Sequence, residues 1–272
     1  MNNKISWAAL LLLALPSSAV AQARERAEPM TENAAARALM DNRLTPERNR
    51  ALALALELGP RAGPDLRAAV IHAAWAEWRG ETNRPEGEAA IEAKGTYAYA
   101  VGGLQDPQAI PFLVEVLPNG LFASNALADF GAEAFPAVFE AAADPEGHPY
   151  RVDGCLTALR FMLEDGSLSP RQVEQVQEVV RDRLSETQHH FVVKAAVRLA
   201  LALGDSGLRR IVDQLATDRT AAEALVSPYL ADGVTRSRAH QRRIDQVQET
   251  AQVFLSGEGD GIGPLRRSFP PE

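Results

Sequence analysis

The chain has 272 residues, 46% of them hydrophobic, enough for a real core in one large domain or two ordinary ones. Aromatic residues make up only 6% and alanine is abundant, which favours close helix–helix packing over sheets. A net charge of −8 sets the surface against nucleic acid and anionic membranes, and a single cysteine, Cys155, excludes an internal disulfide.

Residues 1–23 read as a separate object. Lys4 supplies a short positive start, Ile5 to Leu15 an apolar run, and Pro16-Ser17-Ser18 a break. Ala21-Gln22-Ala23 then fits the small-x-small rule for signal cleavage, so a secretory signal peptide removed near Ala23 is expected. The run is short for a membrane span and no later run is longer, so no integral membrane segment is expected after cleavage. With no cysteine at the cleavage site and no paired arginines before the run, neither a lipoprotein nor twin-arginine export is indicated. Cleavage removes one cation and no anion, and leaves two lysines, Lys94 and Lys194, among many arginines.

Residues 24–44 are polar and alanine-rich, a linker or a short helix. Helical signals then recur across 45–234. Thr45 is placed to cap a helix opened by Pro46 and closed by Gly59. Ser169-Pro170 repeats this before a segment with Val173, Val176, Val180 and Leu184 at helical spacing. Residues 190–203 read as a mostly buried helix ended by Gly204, and no stretch alternates as a strand would. About ten helices of ordinary length fit residues 31–256.

One pattern returns. Ala62-Gly63-Pro64-Asp65-Leu66, Ala109-Ile110-Pro111-Phe112-Leu113 and Ala134-Phe135-Pro136-Ala137-Val138 all fit Ala-x-Pro-x-aliphatic. Gly59 and Gly131 stand five residues before their prolines, and Gly204 precedes a related stretch with Arg209 in the proline's place. Glycine ends one helix cheaply, proline fits the first turn of the next, and the following apolar residues face back onto the helix before. Such a hairpin cannot bury its apolar face alone, and stacking neighbours solves this.

Ala100-Val101-Gly102 with Leu104, followed by Asp106 to Leu113, resembles the HEAT-like repeat family, especially the short bacterial type also found in phycobilisome lyases. Ala126 to Gly131 followed by Ala134 to Val138 is similar to a second copy. The likeness is strongest over 95–143 and extends across 45–230, while 147–183 departs from it and the proline-to-proline steps are unequal. It implies an all-α, armadillo-like α-solenoid that binds proteins, and it carries over no catalytic residue. With the signal segment, it makes an exported scaffold or adaptor of the bacterial envelope the expected function, periplasmic or secreted. The alternatives are a lyase-like or other enzyme on the same scaffold, or a small-molecule or polymer binder.

Residues 235–256 read as a final amphipathic capping helix with Ile244, Val247, Ala251, Phe254 and Leu255 as its stripe, and 257–272 as a disordered Gly/Pro-rich tail. Cys155 shares a face with Leu159 and Met162 and reads as a buried small hydrophobe. Gly204-Asp205-Ser206-Gly207 looks like the nucleophile stretch of trypsin-like proteases, but no β-barrel is legible and a repeat turn is the reading taken, with glycine stopping one helix and Asp205 or Ser206 capping the next. His189 and His190 are neighbours and would diverge on a helix, and no His-Glu-x-x-His motif, phosphate loop or paired-cysteine pattern occurs. No catalytic, metal or cofactor residue is therefore assigned, and a protein partner is expected.

Two groups are candidates for the partner surface. Trp75 and Trp78 form a stripe with Ile71 and Ala74 that reads as core packing or as a binding hot spot. Arg236, Arg238, Arg242 and Arg243 cluster at the start of the last helix, against its dipole. They read as a solvated face paired in part with Asp245 and Glu249, or as a contact for an anion or an acidic partner.

Overall fold

The structure, a computed structural model, describes residues 29–41, 43, 45–82, 88–119, 121–227 and 238–257. The expected signal segment, Arg236 and nearly all of the expected tail lie outside the described residues. Among the described residues there are thirteen α-helices and no strand. They are α1 (Glu32–Met40), α2 (Pro46–Leu58), α3 (Pro64–Trp78), α4 (Glu88–Gly103), α5 (Ile110–Val116), α6 (Leu121–Asp129) and α7 (Phe135–Ala143). Then follow α8 (Pro149–Glu164), α9 (Pro170–Arg183), α10 (His190–Leu203), α11 (Ser206–Thr217), α12 (Arg219–Leu225) and α13 (Arg238–Leu255). The chain is all-α, as its composition indicates. Helices number more than ten because α5 and α12 have only 7 residues and α1, α6 and α7 only 9.

The punctuation acts as its chemistry dictates. Thr45 accepts from the Arg48 amide, Ser169 and Gln172 form a reciprocal capping box, and Asp205 accepts from the Leu208 amide at 2.8 Å. Asp205 and Ser206 thus belong to a helix start. Pro64 is the first residue of α3, while Pro111 and Pro136 are second in α5 and α7, where no amide hydrogen is needed. Gly59 and Gly131 hold positive φ, at 53° and 55°. Before Pro111 the residue at this distance is Asp106, and Gln105 beside it takes φ 50°. The Gln105 side-chain amide donates to the Gly102 carbonyl at 2.8 Å, a local bond that helps a non-glycine residue hold this turn.

The helices pack in sequence. Along one row α4 lies on α6, α6 on α8, α8 on α10, and α10 on α13. Along a second row α3 meets α5, α5 meets α7, and α7 meets α9. Short turns pair α5 with α6, α7 with α8, and α9 with α10 across the rows. At the N-terminal end α1 packs on α2 and α3, and at the other end α11 and α12 back α13. Helices α8 and α10 each bury a continuous apolar face: Val152, Cys155, Leu156, Leu159 and Met162 of α8 are enclosed, as are Val193, Ala196, Val197 and Ala200 of α10. Gly154 lets the chain before α6 come close, since a Cβ there would stand 2.8 Å from a Leu117 methyl carbon.

Two buried arginines tie the second row and the N-terminal cap. Arg48 of α2 is 1% exposed; it donates to the Leu39, Asp41 and Ala73 carbonyls and, through Nε, to the Tyr97 hydroxyl at 2.9 Å. Arg183, at the end of α9, donates to the Ala142 and Asp144 carbonyls at 2.8 and 2.7 Å. Both satisfy carbonyls that a helix C-terminus leaves open. Removing either guanidinium leaves several buried acceptors unmade. Arg48→Ala should therefore cost about 3 kcal/mol or more, while Arg50→Ala, which removes only an exposed bridge to Glu47, should stay within about 0.5 kcal/mol. Urea unfolding followed by far-UV circular dichroism measures both.

Candidate functional site: a polar band across three helices

The central helices are apolar enough that their polar residues stand out. In α8 (PYRVDGCLTALRFMLE) Asp153, Thr157 and Arg160 fall at i, i+4 and i+7, one face of a helix, and all three are half-buried. In α10 (HFVVKAAVRLALAL) the corresponding stripe is His190, Lys194 and Arg198. In α13 Ile244, Val247 and Ala251 pack inward, leaving Arg243, Glu249 and Phe254 beside the stripe.

The neighbours of these groups fix how the helices run. Asp153 lies near Lys194 and Arg198, Arg160 near Arg198, and Arg243 near His189 and His190. The Arg198 guanidinium sits 5.5 Å from the centre of the Phe254 ring. Residues 153 and 160, 190 and 198, and 243 and 254 therefore ascend together, so α8, α10 and α13 are parallel. The cations occupy three levels along α10: Arg243 beside His190, then Lys194, then Arg198 with Arg160. Lys194 Nζ lies 5.8 Å from the Phe191 ring centre.

Burial dominates the electrostatics of the band. It pushes the Asp153 carboxyl up to about 6, although Arg198 and Lys194 pull the other way. It holds Lys194 and Arg198 below their ordinary values; Arg198 adds repulsion at Lys194, and Arg160 adds it at Arg198. Carboxylates that oppose this include Asp153, Glu249 near Lys194, and Glu164, which meets Arg160 at 3.5 Å. Among the described residues, Nε of Arg160, Nε of Arg198 and Nδ1 of His190 are buried without a hydrogen-bond partner. His190 is 7% exposed and is driven down to about 4, by burial first and then by His189, Arg243 and Lys194.

An aromatic group stands at the head of the band. Tyr150, 45% exposed, stacks 5.5 Å from His148 and lies 5.8 Å from His189 and 5.2 Å from Phe191. His189 is the N-cap residue of α10, not part of the helix, so it and His190 do not diverge as two helical neighbours would; their ring centres are 4.5 Å apart. Next to this group a cavity of about 190 Å³ opens between the start of α8 and the loop before α10, with Pro149, Val152, Arg183, Gln188 and His189 in its wall.

The partner-surface candidates are distributed differently. Trp75 is half-buried, edge-on to Phe112 of α5 at 5.2 Å and covered by Arg79 at 4.9 Å. Trp78 is also half-buried against the core. This stripe therefore packs α3 onto its neighbours. Tyr97 is the buried partner of Arg48, and Tyr99 meets Phe122 of α6. Arg238 and Arg242 are exposed, and Arg243 joins the band. Asp245 accepts from Arg219 of α12 at 2.6 Å, because α12 packs against α13 and brings Arg219 over it. Glu249, exposed on α13, lies near enough to Lys194 to favour its charged form. Cys155 is fully enclosed, and burial pushes its thiol up to about 12. Sequence reasoning passed over Asp153, Arg160, Lys194 and Arg198, whose signal was a polar stripe at helical spacing inside otherwise apolar helices.

No protein-family model matches this sequence, and comparison with curated proteins and with solved structures likewise yields no match.

The raised Asp153 value has a consequence with a definite sign. Its folded value lies above the ordinary 3.8, so the folded state holds that proton more tightly than the unfolded chain does. Stability is favoured at pH below about 4 and falls as pH rises toward 6. Asp153→Asn should therefore stabilise the protein at pH 8 and give no gain at pH 3.5, as read by urea midpoints at the two pH values. His190 acts in the opposite sense, since a depressed histidine contributes stability above its ordinary 6.5 that is lost as pH falls toward 4. His190→Gln should flatten the loss of stability between those values.

Proposed function

We propose that this chain is an exported α-solenoid of HEAT-like hairpins that acts by binding a protein partner in the bacterial envelope. Support for the solenoid comes from helices that pack on their nearest neighbours in two rows, and from the glycine–proline punctuation that sets each hairpin. Support for export comes from the N-terminal Lys4, apolar run and Ala21-Gln22-Ala23. The observation that carries the binding reading is the polar band on α8, α10 and α13. Burying four cations in part costs stability, and leucine or alanine at the same positions would pack without that cost. A partner-facing surface accounts for keeping them.

The test is capture of the full chain, tagged at its C-terminus and expressed in its own secreting cells, with crosslinking and mass spectrometry. The expected result is a stoichiometric protein whose crosslinks fall on α8, α10 and α13. It should be lost on Lys194→Glu with Arg198→Glu and kept on Arg171→Glu, an exposed control on α9. A chain that captures no protein, or one held equally by the band variant, overturns the reading.

A further inference from the structure

We infer that the cavity at the head of α8 and α10 binds a single sugar residue, its hydroxyls seated in the cavity and one ring face laid on Tyr150. The inference goes beyond the protein-binding reading and does not depend on it. Three observations carry it.

The first is size and lining. The cavity of about 190 Å³ is walled by the start of α8, the end of α9 and the loop before α10. That is the room of about six waters at about 30 Å³ each, and it falls below the range of drug-sized sites. It suits one six-membered ring with its hydroxyls. Val152 and Val192 are buried in the wall, and Pro145 and Pro149 add carbon surface without an amide hydrogen.

The second is a set of polar groups in the wall, of both kinds and held in place. Arg183 is 5% exposed, and its Nε and Nη2 are engaged with the Ala142 and Asp144 carbonyls. Its Nη1 has no acceptor among the described residues, so a fixed guanidinium keeps one nitrogen to donate. Gln188 is pinned through its backbone: its amide donates to the Leu225 carbonyl and its carbonyl accepts from the Ser227 amide, both at 2.7 Å. Its side-chain amide then offers two donor hydrogens and an acceptor oxygen. The Thr187 hydroxyl donates to the Ala224 carbonyl at 3.0 Å and keeps its lone pairs to accept. A carboxylate or phosphate could serve only the donors, whereas a hydroxyl both donates and accepts and serves the whole set. Charge points the same way. Asp144, Asp182 and Glu186 stand close enough to Arg183 to favour its charged form, and Arg243 lies near His189. These charges largely cancel, so no positive field draws an anion.

The third is an exposed aromatic face at the rim. Tyr150 is 45% exposed, follows Pro149 of the wall, and has its ring 5.8 Å from that of His189, another wall residue. His148 at 5.5 Å and Phe191 at 5.2 Å hold the ring in place. The C–H bonds on the face of a sugar ring carry the slight positive charge that the negative face of an aromatic ring attracts. A purely apolar ligand would use Tyr150 and leave the polar groups of the wall unpaired.

The test uses the full, tagged chain with a panel of methyl hexosides and N-acetylhexosamines, each also as its linear tetrasaccharide, read by saturation-transfer difference NMR. At least one saccharide should bind with a dissociation constant of about 1 mM or tighter, with transfer strongest to the protons of one ring face. Binding should weaken at least about tenfold on Tyr150→Ala and on Gln188→Ala. It should be kept on Tyr150→Phe, which preserves the aromatic face, and on Met40→Ala, an exposed control on α1. The ring-face pattern is read on the unaltered chain, so the outcome survives a variant that fails to fold. A methyl glycoside bound as tightly as its tetrasaccharide marks a free sugar or a chain end as the ligand, and a tetrasaccharide bound more tightly marks a glycan that runs on over Tyr150; either supports the site. Absence of binding across the panel overturns the inference. So does transfer left unaltered by both alanine variants, or displacement of the sugar by succinate at equal concentration. None of these failures touches the scaffold reading, which falls only by the capture experiment.

Discussion

Helix α8 cannot stand alone. Its apolar side chains point to more than one side, with Val152, Cys155, Leu156, Leu159 and Met162 all out of water. They are buried because α6, α7 and α10 close over them, and those helices are buried in turn by the next. Alanine and glycine make this possible. Gly154, Ala158, Ala196 and Ala200 take little space, so backbones approach closely and carbonyls can be reached, as when the Ser124 hydroxyl donates to the Gly154 carbonyl at 3.0 Å.

That same closeness shapes the polar chemistry. A side chain on the central row is at least partly out of water, so charge placed there is expensive and its protonation moves. Asp153 is held toward its neutral form and His190 toward its neutral form, for one reason: burial penalises whichever state carries charge. Arg48 and Arg183 show the other solution, in which a buried guanidinium spends its hydrogens on the carbonyls of adjacent helix ends. Arg160 and Arg198 of the band differ from these two, because each keeps an enclosed donor without an acceptor among the described residues.

The helical class was legible because it is written in local chemistry. Thr45, Ser169 and Asp205 cap helices, and Pro64, Pro111 and Pro136 begin them, whatever lies across the molecule. The stripe of α13 was legible for the same reason. The band was not, since it is assembled from residues 153, 160, 194, 198 and 243, and nothing in the sequence says which helices lie side by side. Lys194 drew notice only for the rarity of lysine. The arginine cluster before α13 was visible as charge, but its division could not be: Arg243 turns to α10, Arg242 stays exposed, and Asp245 is taken by Arg219 from a helix whose position follows from packing. The turn at Gln105 carried no sign in the sequence, since positive φ at a turn is the usual mark of glycine.

The parallel run of α8, α10 and α13 has an electrical consequence. Each helix carries a partial positive charge at its start and a negative one at its end. Helices side by side in the same sense repel along their length, and their starts add up at one edge of the row. Imidazoles gather there: His148 before α8, and His189 and His190 at the start of α10. An edge already positive is a poor place for a further proton, which agrees in direction with the lowered values of His189 and His190. The turn-linked helices of the other row run the opposite way and offset the sum. The second row is thus an electrostatic counterweight as well as an apolar cover, and removing one of its helices would leave an uncompensated field pointing along the band.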